Sequence, residues 1–219
     1  MRSAELSSVL RDGAAELECP LSQVQSDALL AYLALMLKWN RVYNLTAVRE
    51  PAQMLTQHLL DSLSVVEPLR RRLGDRPKRL LDVGSGAGLP GIVLAVMLPA
   101  LDVTCVDAVS KKAGFIRQVA AELELRNLHA RHSRVEALDA GPFGVIASRA
   151  FSSLGDLVRL TRDHLAAGGA WLAMKGKTPA DEIAALPDDV DVFHVEPLRV
   201  PGMGAQRCLI WMSLKAPNH

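Results

Sequence analysis

The sequence predicts an α/β protein with a mostly parallel sheet, preceded by an extension made of helices. After residue 77, short apolar runs of strand character alternate with amphipathic helical stretches over short links, which is typical of a parallel sheet covered by helices on both faces. Before that point, apolar residues recur at helical spacing only. The 219 residues have room for one α/β domain of ordinary size and a small extension. We therefore expect an extension over 1–76 and an α/β domain over 77–219.

At least two helices are predicted in the extension. Apolar side chains recur every three or four residues across 29–37, and either Ser22 or Ser26 can cap this helix. A second helix is expected over Pro51–Leu60, because proline is well tolerated in a first helical turn.

Seven strands are predicted in the α/β domain. The last two lie close together in the sequence with no helix between them, which suits an antiparallel pair at the end of the sheet. The strands are expected at Arg79–Val83, Asp102–Asp107, Leu128–His132, Phe143–Ser148, Ala170–Lys175, Val190–Val195 and Cys208–Leu214. The helices between them are expected at Leu89–Met97, Lys111–Leu123, Leu154–Leu165 and Ala180–Leu186.

The most informative stretch is LLDVGSGAGLPGI, residues 80–92. It predicts a buried strand that ends at an acid, a tight glycine turn and the start of a helix. Glycine tolerates positive φ and, without Cβ, lets backbone N–H groups approach a ligand closely. The following helix N-terminus adds unsatisfied donors and a partial positive charge. The stretch therefore predicts a site for an adenosine-containing cofactor, held by Asp82, Gly84, Gly86 and Gly88.

Two cofactor classes compete for this turn. Three of the glycines fit the dinucleotide fingerprint G-x-G-x-x-G, but in that fingerprint the first glycine closely follows the strand. Here that role falls to Gly84, whose matching third position is Leu89. The stretch instead resembles D-x-G-x-G-x-G, the first motif of S-adenosylmethionine methyltransferases, where an acid such as Asp82 can meet the cationic amino group of methionine. A methyltransferase is favoured over a nicotinamide dehydrogenase, and a glycine turn without a ligand is the third alternative.

Polar residues also follow the other predicted strands, and parallel strands bring their carboxyl ends to one edge of a sheet. Asp107 ends the second strand, at roughly the spacing at which an acid accepts hydrogen bonds from ribose hydroxyls. Arg149 follows the fourth strand. It either bonds cofactor or phosphate, or forms an ion pair with Asp82 or Glu136. Acids and glycines thus occupy the cofactor half of this edge and cations the other half, which suits a polyanionic substrate.

Composition sets further bounds. An apolar content of 49% with 22% charged residues is typical of a globular protein. No apolar run reaches membrane-spanning length and MRSAELSSVLRDG has no signal-peptide core, so we expect a cytoplasmic protein without a membrane partner. The three cysteines form no C-x-x-C pair, and no metal site is expected.

Basic residues are unevenly distributed along the chain, although its net charge is only +1. Lys175 and Lys177 flank a glycine after the fifth predicted strand. They either meet RNA phosphate or lie on a solvated turn. A second group either contacts RNA or forms a solvated run that complements a helix C-terminus: Arg70, Arg71, Arg72, Arg76, Lys78 and Arg79.

The chain resembles one bacterial family from about Val9 to the last predicted strand. The resemblance is carried, in order, by WNRVYNLTAVREP, HLLDSL, LLDVGSGAGLPGI, FIRQV, SRVEAL, SRAF and KGKTPADEIAALP. These motifs are similar to those of RsmG, also called glucose-inhibited division protein B, the 16S ribosomal RNA guanine-N7 methyltransferases. Ala87, where proline is common, is a small departure that removes no functional group.

The resemblance implies a class I methyltransferase fold, Rossmann-like, with a seven-stranded mostly parallel sheet and an antiparallel last strand. It implies S-adenosylmethionine as cofactor and 16S ribosomal RNA or the small-subunit particle as partner, and we expect a monomer. Cofactor contacts are implied at Gly84, Leu89, Val135, Glu136 and Arg149, with the ribose on Asp107. Catalytic roles are expected for Arg149, Lys175, His58 and Asp61. By spacing alone, the last two would be a local hydrogen-bonded pair on one helix face.

The sequence also suits the chemistry of guanine N7. That atom carries an exposed lone pair, so it needs no general base, and methyl transfer can depend on positioning. No cysteine nucleophile for carbon methylation follows the fourth or fifth predicted strand. The Asn/Asp-Pro-Pro-aromatic loop typical of exocyclic-amine methylation is replaced by SRAF at 148–151. A cofactor sensor or assembly factor without chemistry, and an oxidoreductase, are the alternative functions.

Overall fold

The computed structural model describes residues 3–74, 79–149, 151 and 153–216. These residues form a seven-stranded sheet in the order β3-β2-β1-β4-β5-β7-β6. Neighbouring strands are parallel except for β7, which runs antiparallel to both β5 and β6. The strands are β1 Arg79–Val83, β2 Asp102–Asp107, β3 Leu128–His132, β4 Phe143–Ser148, β5 Leu165–Lys175, β6 Val190–Leu198 and β7 Arg207–Leu214. The predicted fold class is confirmed.

Strand order reverses at β1, which lies between β2 and β4. Residues 80–83 of β1 are all buried, as expected for a central strand covered on both faces. The carboxyl ends of β1, β2 and β4 therefore meet at the switch point where such sheets bind ligands.

The two helices predicted in the extension are present and are accompanied by further helical segments. They are α1 Ser3–Glu16, α2 Gln23–Tyr43, α3 Pro51–Met54, a π-helical segment Leu55–Leu60, α4 Asp61–Leu63 and α5 Val66–Leu73. Ser22, rather than Ser26, caps α2 through a reciprocal pair of bonds with Gln25. The helix predicted over Pro51–Leu60 widens into a π-helix after its first turn, a distortion that is frequent at functional sites.

Four further helices cover the sheet: α6 Gly91–Met97, α7 Ser110–Glu122, α8 Leu154–Thr161 and α9 Ala180–Ala184. The prediction of one helix over Leu154–Leu165 is wrong at its end. A single 3₁₀ turn follows α8, and β5 already begins at Leu165, where it pairs with Phe143. Gly168, at positive φ, lies inside this strand. Because glycine interrupts the apolar run, the sequence predicted the strand to begin only at Ala170.

The extension and the sheet share one hydrophobic core. Leu10 and Tyr32 belong to the same cluster as Leu80 and Phe115, and the rings of Tyr32 and Phe115 stack with centroids 6.2 Å apart. The expected boundary at residue 76 lies outside the described residues, as do Arg76 and Lys78 of the basic group. None of the described helices is both long enough and apolar enough to cross a membrane.

Candidate functional site

The glycine turn follows β1 directly. Gly84, Gly86 and Gly88 all have positive φ, of 66°, 60° and 88°. The turn is tied to the neighbouring strand, because the amide of Gly84 donates to the carbonyl oxygen of Val106 at 3.0 Å. The predicted strand, tight turn and helix start are therefore present in this order.

The glycines of the turn serve different purposes. A Cβ on Gly86 would have only the carbonyl oxygen of Gly84 within 4 Å, at 3.9 Å, so this position borders open space. A Cβ on Gly88 would lie 2.3 Å from Cδ1 of Ile92, and one on Gly91 would lie 2.4 Å from Sγ of Cys105. Close packing of α6 thus explains Gly88 and Gly91, whereas a ligand can approach at Gly86.

Asp107 supports the turn from the end of β2. Its Oδ2 accepts a hydrogen bond from the amide of Gly86 at 2.9 Å, and its Oδ1 accepts one from Val109 at 2.8 Å. Nζ of Lys112 lies 3.8 Å from Oδ2. The carboxylate is thereby fixed beside the open side of the turn.

Asp82 lies beneath the turn and is fully buried. Its Oδ2 accepts a hydrogen bond from the amide of Gly91 at 2.9 Å and lies 3.8 Å from Sγ of Cys105. Its Oδ1 is buried and finds no partner in the described part of the chain. Burial raises the pKa of Asp82 to about 7, although the Gly91 amide and the charge of Arg149 lower it. Predicted as a cofactor contact, Asp82 keeps this unpaired acceptor beneath the turn and, being fully buried, does not line the cavity at this edge.

A cavity of about 240 Å³, which we call the turn cavity, opens at this edge. Its lining combines the predicted Gly84, Asp107, Val135 and Glu136 with Phe151 and Leu160. A carboxylate beside apolar side chains suits a ligand that has both hydroxyl groups and a flat apolar ring. Leu89, predicted as a contact, is 2% exposed and packs in the core, where it does not line this cavity.

A second cavity of about 340 Å³, the arginine cavity, lies at the ends of β4 and β5. Arg149 and Phe151, two residues apart in the chain, line the arginine cavity and the turn cavity respectively. Four other residues predicted or found at this edge also line the arginine cavity: His58, Asp61, Lys175 and Arg207.

Asp61 holds two arginines at this cavity. Its Oδ2 lies 3.3 Å from Nη1 of Arg149, and its Oδ1 accepts a hydrogen bond from Nε of Arg207 at 2.9 Å. Asp61 is 2% exposed, whereas both arginine side chains are 27% exposed. The alternative ion pair of Arg149 with Asp82 or Glu136 is not formed, because Asp61 takes that place.

His58 does not pair with Asp61, as a local helical pair would. Its Nδ1 lies 2.9 Å from the carbonyl oxygen of Gln57, and its Nε2 lies 2.9 Å from Oγ1 of Thr46. Because a carbonyl can only accept, Nδ1 carries the proton and Nε2 accepts from the hydroxyl. Burial and the charge of Arg149 lower the pKa of His58. The imidazole is therefore neutral, with both nitrogens engaged.

The two predicted lysines have different surroundings. Nζ of Lys175 lies 2.9 Å from Oε2 of Glu182, whose same oxygen accepts a hydrogen bond from the amide of Leu154 at 2.7 Å. Lys175 is thus part of an ion pair that also anchors α8, whereas Lys177 is exposed. Groups of three or more residues suited to hold a metal ion are absent from the described ranges.

Arg207 was missed by the sequence reasoning. It begins β7, and since β7 is antiparallel to β5, its first residue lies at the edge where the parallel strands end. The antiparallel pair was predicted, so this position could have been deduced from it. Glu182 and Gln57 carried no such signal.

Comparison with known proteins gives consistent results. The family model described as rRNA small subunit methyltransferase G matches residues 25–210. A curated protein of that name from Leptothrix cholodnii is 64% identical over 200 residues, covering 91% of this chain and 92% of its own. Another from Methylibium petroleiphilum is 60% identical over 206 residues, covering 94% and 93%.

Solved structures extend the comparison to the fold. An S-adenosylmethionine-dependent methyltransferase from Aquifex aeolicus superposes with a TM-score of 0.55 at 16% identity. The match covers 74% of this chain and 93% of that one. At this identity the likeness concerns the fold alone.

Proposed function

This chain belongs to the rRNA small subunit methyltransferase G family, and from that membership we propose that it methylates N7 of one specific guanine in 16S ribosomal RNA. It is a ribosomal RNA methyltransferase that uses S-adenosylmethionine. The observation that supports the finer proposal is a pair of cavities, the first lined by Gly84, Asp107 and Phe151 and the second by Arg149 and Arg207.

The turn cavity is the part of the edge that we assign to S-adenosylmethionine. The carboxylate of Asp107 suits the ribose hydroxyls, and Val135 and Leu160 suit the adenine ring. The unpaired Oδ1 of Asp82 lies outside this lining, beneath the turn, and is the acceptor that we propose for the ammonium of the methionine part. When bound, the cofactor supplies an electrophilic methyl group on a sulfonium. Gly86 provides the space for close approach, and Glu136, exposed at the cavity rim, completes the contacts. Gly88 and Leu89 act through packing.

The arginine cavity suits an RNA nucleotide. Arg149 and Arg207 offer donors to phosphate or to a cofactor carboxylate, and the buried Asp61 fixes the direction of both guanidinium groups. His58 has no free nitrogen to act as a base, and N7 needs none because its lone pair is already exposed. His58, Asp61 and Lys175 are positioning residues in this proposal, since rate would come from placing N7 in line with the methyl group.

The experiment is a comparison of ribosomal RNA from cells with and without the gene. Mass spectrometry should find one 7-methylguanosine missing from the 16S RNA of the deletion strain and restored by the purified protein with S-adenosylmethionine. Unchanged RNA in the deletion strain would favour a sensor or assembly factor. A change of nicotinamide fluorescence on mixing with the protein would favour an oxidoreductase.

The proposal also covers the oligomeric state and location of the protein, its domain boundary and the form of its RNA substrate. The protein acts as a monomer in the cytoplasm, where small subunits are assembled. We place the boundary between the helical extension and the methyltransferase domain at residues 76 and 77, and the described parts of the two share one hydrophobic core. Methyl transfer to naked RNA, to an assembly intermediate and to the mature subunit, each assayed separately, would identify the substrate.

A further inference from the structure

A third cavity adjoins the arginine cavity and has no role in the function proposed above. This loop cavity has about 490 Å³ and lies between the helical segment after Pro51 and the loop from β6 to β7. Gln57 and Arg207 line both cavities. Both volumes lie in the range of small-ligand sites, about 300–1,000 Å³. A ligand that fills one cavity can therefore continue into the other.

Two amide side chains face this space. Gln53 and Gln57 are exposed, and neither side-chain amide bonds to another group in the described ranges. The main-chain carbonyl oxygen of Gln57 accepts from Nη1 of Arg149 at 3.2 Å and from Nδ1 of His58 at 2.9 Å. Each amide offers both donors and acceptors, which is the chemistry that reads the edge of an unpaired base.

Three of the four residues in the opposite wall of the loop cavity are small. This wall consists of Gly202, Met203, Gly204 and Ala205. Gly202 has a φ of 73° and needs to be glycine for its backbone. Gly204 does not have such a φ, and a Cβ there would meet nothing within 4 Å. Neither packing nor backbone conformation requires glycine at 204, so a larger side chain can be placed there to occupy the cavity.

Arg207 lines both the loop cavity and the arginine cavity. Its Nε donates to Asp61 and its Nη1 donates to the carbonyl oxygen of Gln206 at 3.0 Å. Its Nη2 has no hydrogen bond to any described residue. A single phosphate joins two neighbouring nucleotides, and a guanidinium held between two nucleotide-sized spaces is placed to meet it.

We propose that the loop cavity holds the nucleotide next to the target guanine in the RNA strand. Gln53 and Gln57 bond the edge of that base, and Arg207 bonds the phosphate that connects it to the guanine. This inference rests on the proposed function and adds a subsite that selects the sequence around the target. A ribosomal protein segment is the competing occupant, but the continuity with the arginine cavity and the polar lining favour RNA.

The test fills the cavity while leaving the residues of the cofactor site and both arginines unsubstituted. Gly204→Phe inserts a ring into the open space, and Gly204→Ala is the matched control that leaves the cavity open. Both variants are compared with wild type in single-turnover methyl transfer to transcribed 16S RNA and to small subunits from the deletion strain. Calorimetric titration with S-adenosylmethionine and thermal melting monitor cofactor binding and folding.

We expect Gly204→Phe to raise the half-saturating RNA concentration about tenfold, the effect of losing one good base contact. The rate at saturation should stay within about twofold, since uniform binding affects KM rather than kcat. Gly204→Ala should behave like wild type. Substrates altered at the nucleotides flanking the target provide the second measurement, in which wild type discriminates between bases, and Gly204→Phe and Gln53→Ala do not.

Equal half-saturation and equal discrimination in all variants would overturn the subsite. So would a defect of Gly204→Phe that occurs on subunits but not on deproteinised RNA, because the occupant would then be a protein. Absence of methyl transfer by wild type on both substrates would refute the proposed function itself and the subsite with it. The wild-type reactions therefore separate the two failures.

Discussion

The hydroxyl of Tyr32, in the middle of α2, donates a buried hydrogen bond of 2.7 Å to the carbonyl oxygen of Ala87 in the glycine turn. Tyr32 is fully buried and stacks on Phe115 of α7. Ala87 lies between Gly86 and Gly88, which both have positive φ. The extension thus holds the conformation of the turn that borders the turn cavity, although it contributes no residue to the lining of that cavity.

Tyr32→Phe should lower both stability and cofactor affinity. The substitution keeps the stacked ring but leaves a buried carbonyl without a partner, at a cost of about 1–3 kcal/mol in the free energy of unfolding. Urea unfolding and calorimetric titration with S-adenosylmethionine measure the two effects. Tyr43→Phe is the matched control, because the Tyr43 side chain is exposed. If the two variants unfold at the same urea concentration, the bond does not support the turn.

Asp107→Asn should weaken binding of S-adenosylmethionine by about ten- to hundredfold, because hydrogen bonds to a charged group contribute about 1.5–3 kcal/mol. The amide also cannot accept from both Gly86 and Val109 through two oxygens. The control is Asp102→Asn at the opposite end of β2, where the carboxylate lies 3.4 Å from Nε of Arg79. Calorimetry that finds equal affinity in both variants would refute the ribose assignment.

Gly86→Ala and Gly88→Ala should fail in different ways. The Gly86 variant places a methyl group at positive φ, which costs about 1–2 kcal/mol, and in the space where the cofactor must approach. It should fold but bind S-adenosylmethionine weakly. The Gly88 variant pushes a methyl group into Ile92 and should lose more stability. Melting temperatures and Kd values that change in parallel would contradict this division.

The pH dependence of binding should depend on Asp82. Below about pH 7 its carboxyl is protonated in the free protein, and an ammonium ligand favours the ionised form. Binding must then release a proton, so affinity falls as the pH falls from 7, by up to about tenfold per unit. Asp82→Asn should bind weakly with no such slope. A wild-type Kd that stays constant between pH 5 and pH 7 would show that Asp82 does not face the ammonium group.

The sequence predicts most of the fold because the fold depends on local patterns. The bounds of β1, β2, β3 and β4 are as predicted, since an apolar run between turn residues indicates a strand wherever it packs. The turn and Asp107 were likewise predictable, because they belong to one strand-turn-helix unit and its neighbour. The separate roles of the glycines in the turn could not be predicted. Only the packing of Gly88 against Ile92 and of Gly91 against Cys105 distinguishes them from Gly86.

The arginine cavity was only partly predictable because its contacts are remote in sequence. Asp61 and Arg207 are 146 residues apart, and Arg149 pairs with Asp61 across 88 residues. No local pattern selects such partners among the many charged residues of a chain. The π-helical segment that carries His58 was also read as ordinary helix, because apolar periodicity does not resolve one extra residue in a turn.

Arg149→Lys distinguishes position from charge. The guanidinium donates through Nη1 both to Oδ2 of Asp61 and to the carbonyl oxygen of Gln57. A lysine ammonium could meet these two acceptors, but it lacks the further donors Nε and Nη2 that the planar guanidinium holds in a fixed direction for a ligand. Since N7 transfer has no proton step to compensate, a misplacement near 1 Å should reduce the rate about hundredfold. The measurement is 7-methylguanosine formed per enzyme in a single turnover, with RNA affinity and thermal melting expected near wild type.

The matched control is Arg159→Lys, which alters a surface ion pair with Asp156 and should transfer the methyl group normally. Near-normal methyl transfer by Arg149→Lys would mean that this residue contributes only its charge. The orientation that Asp61 gives to Arg149 would then have no effect on the rate.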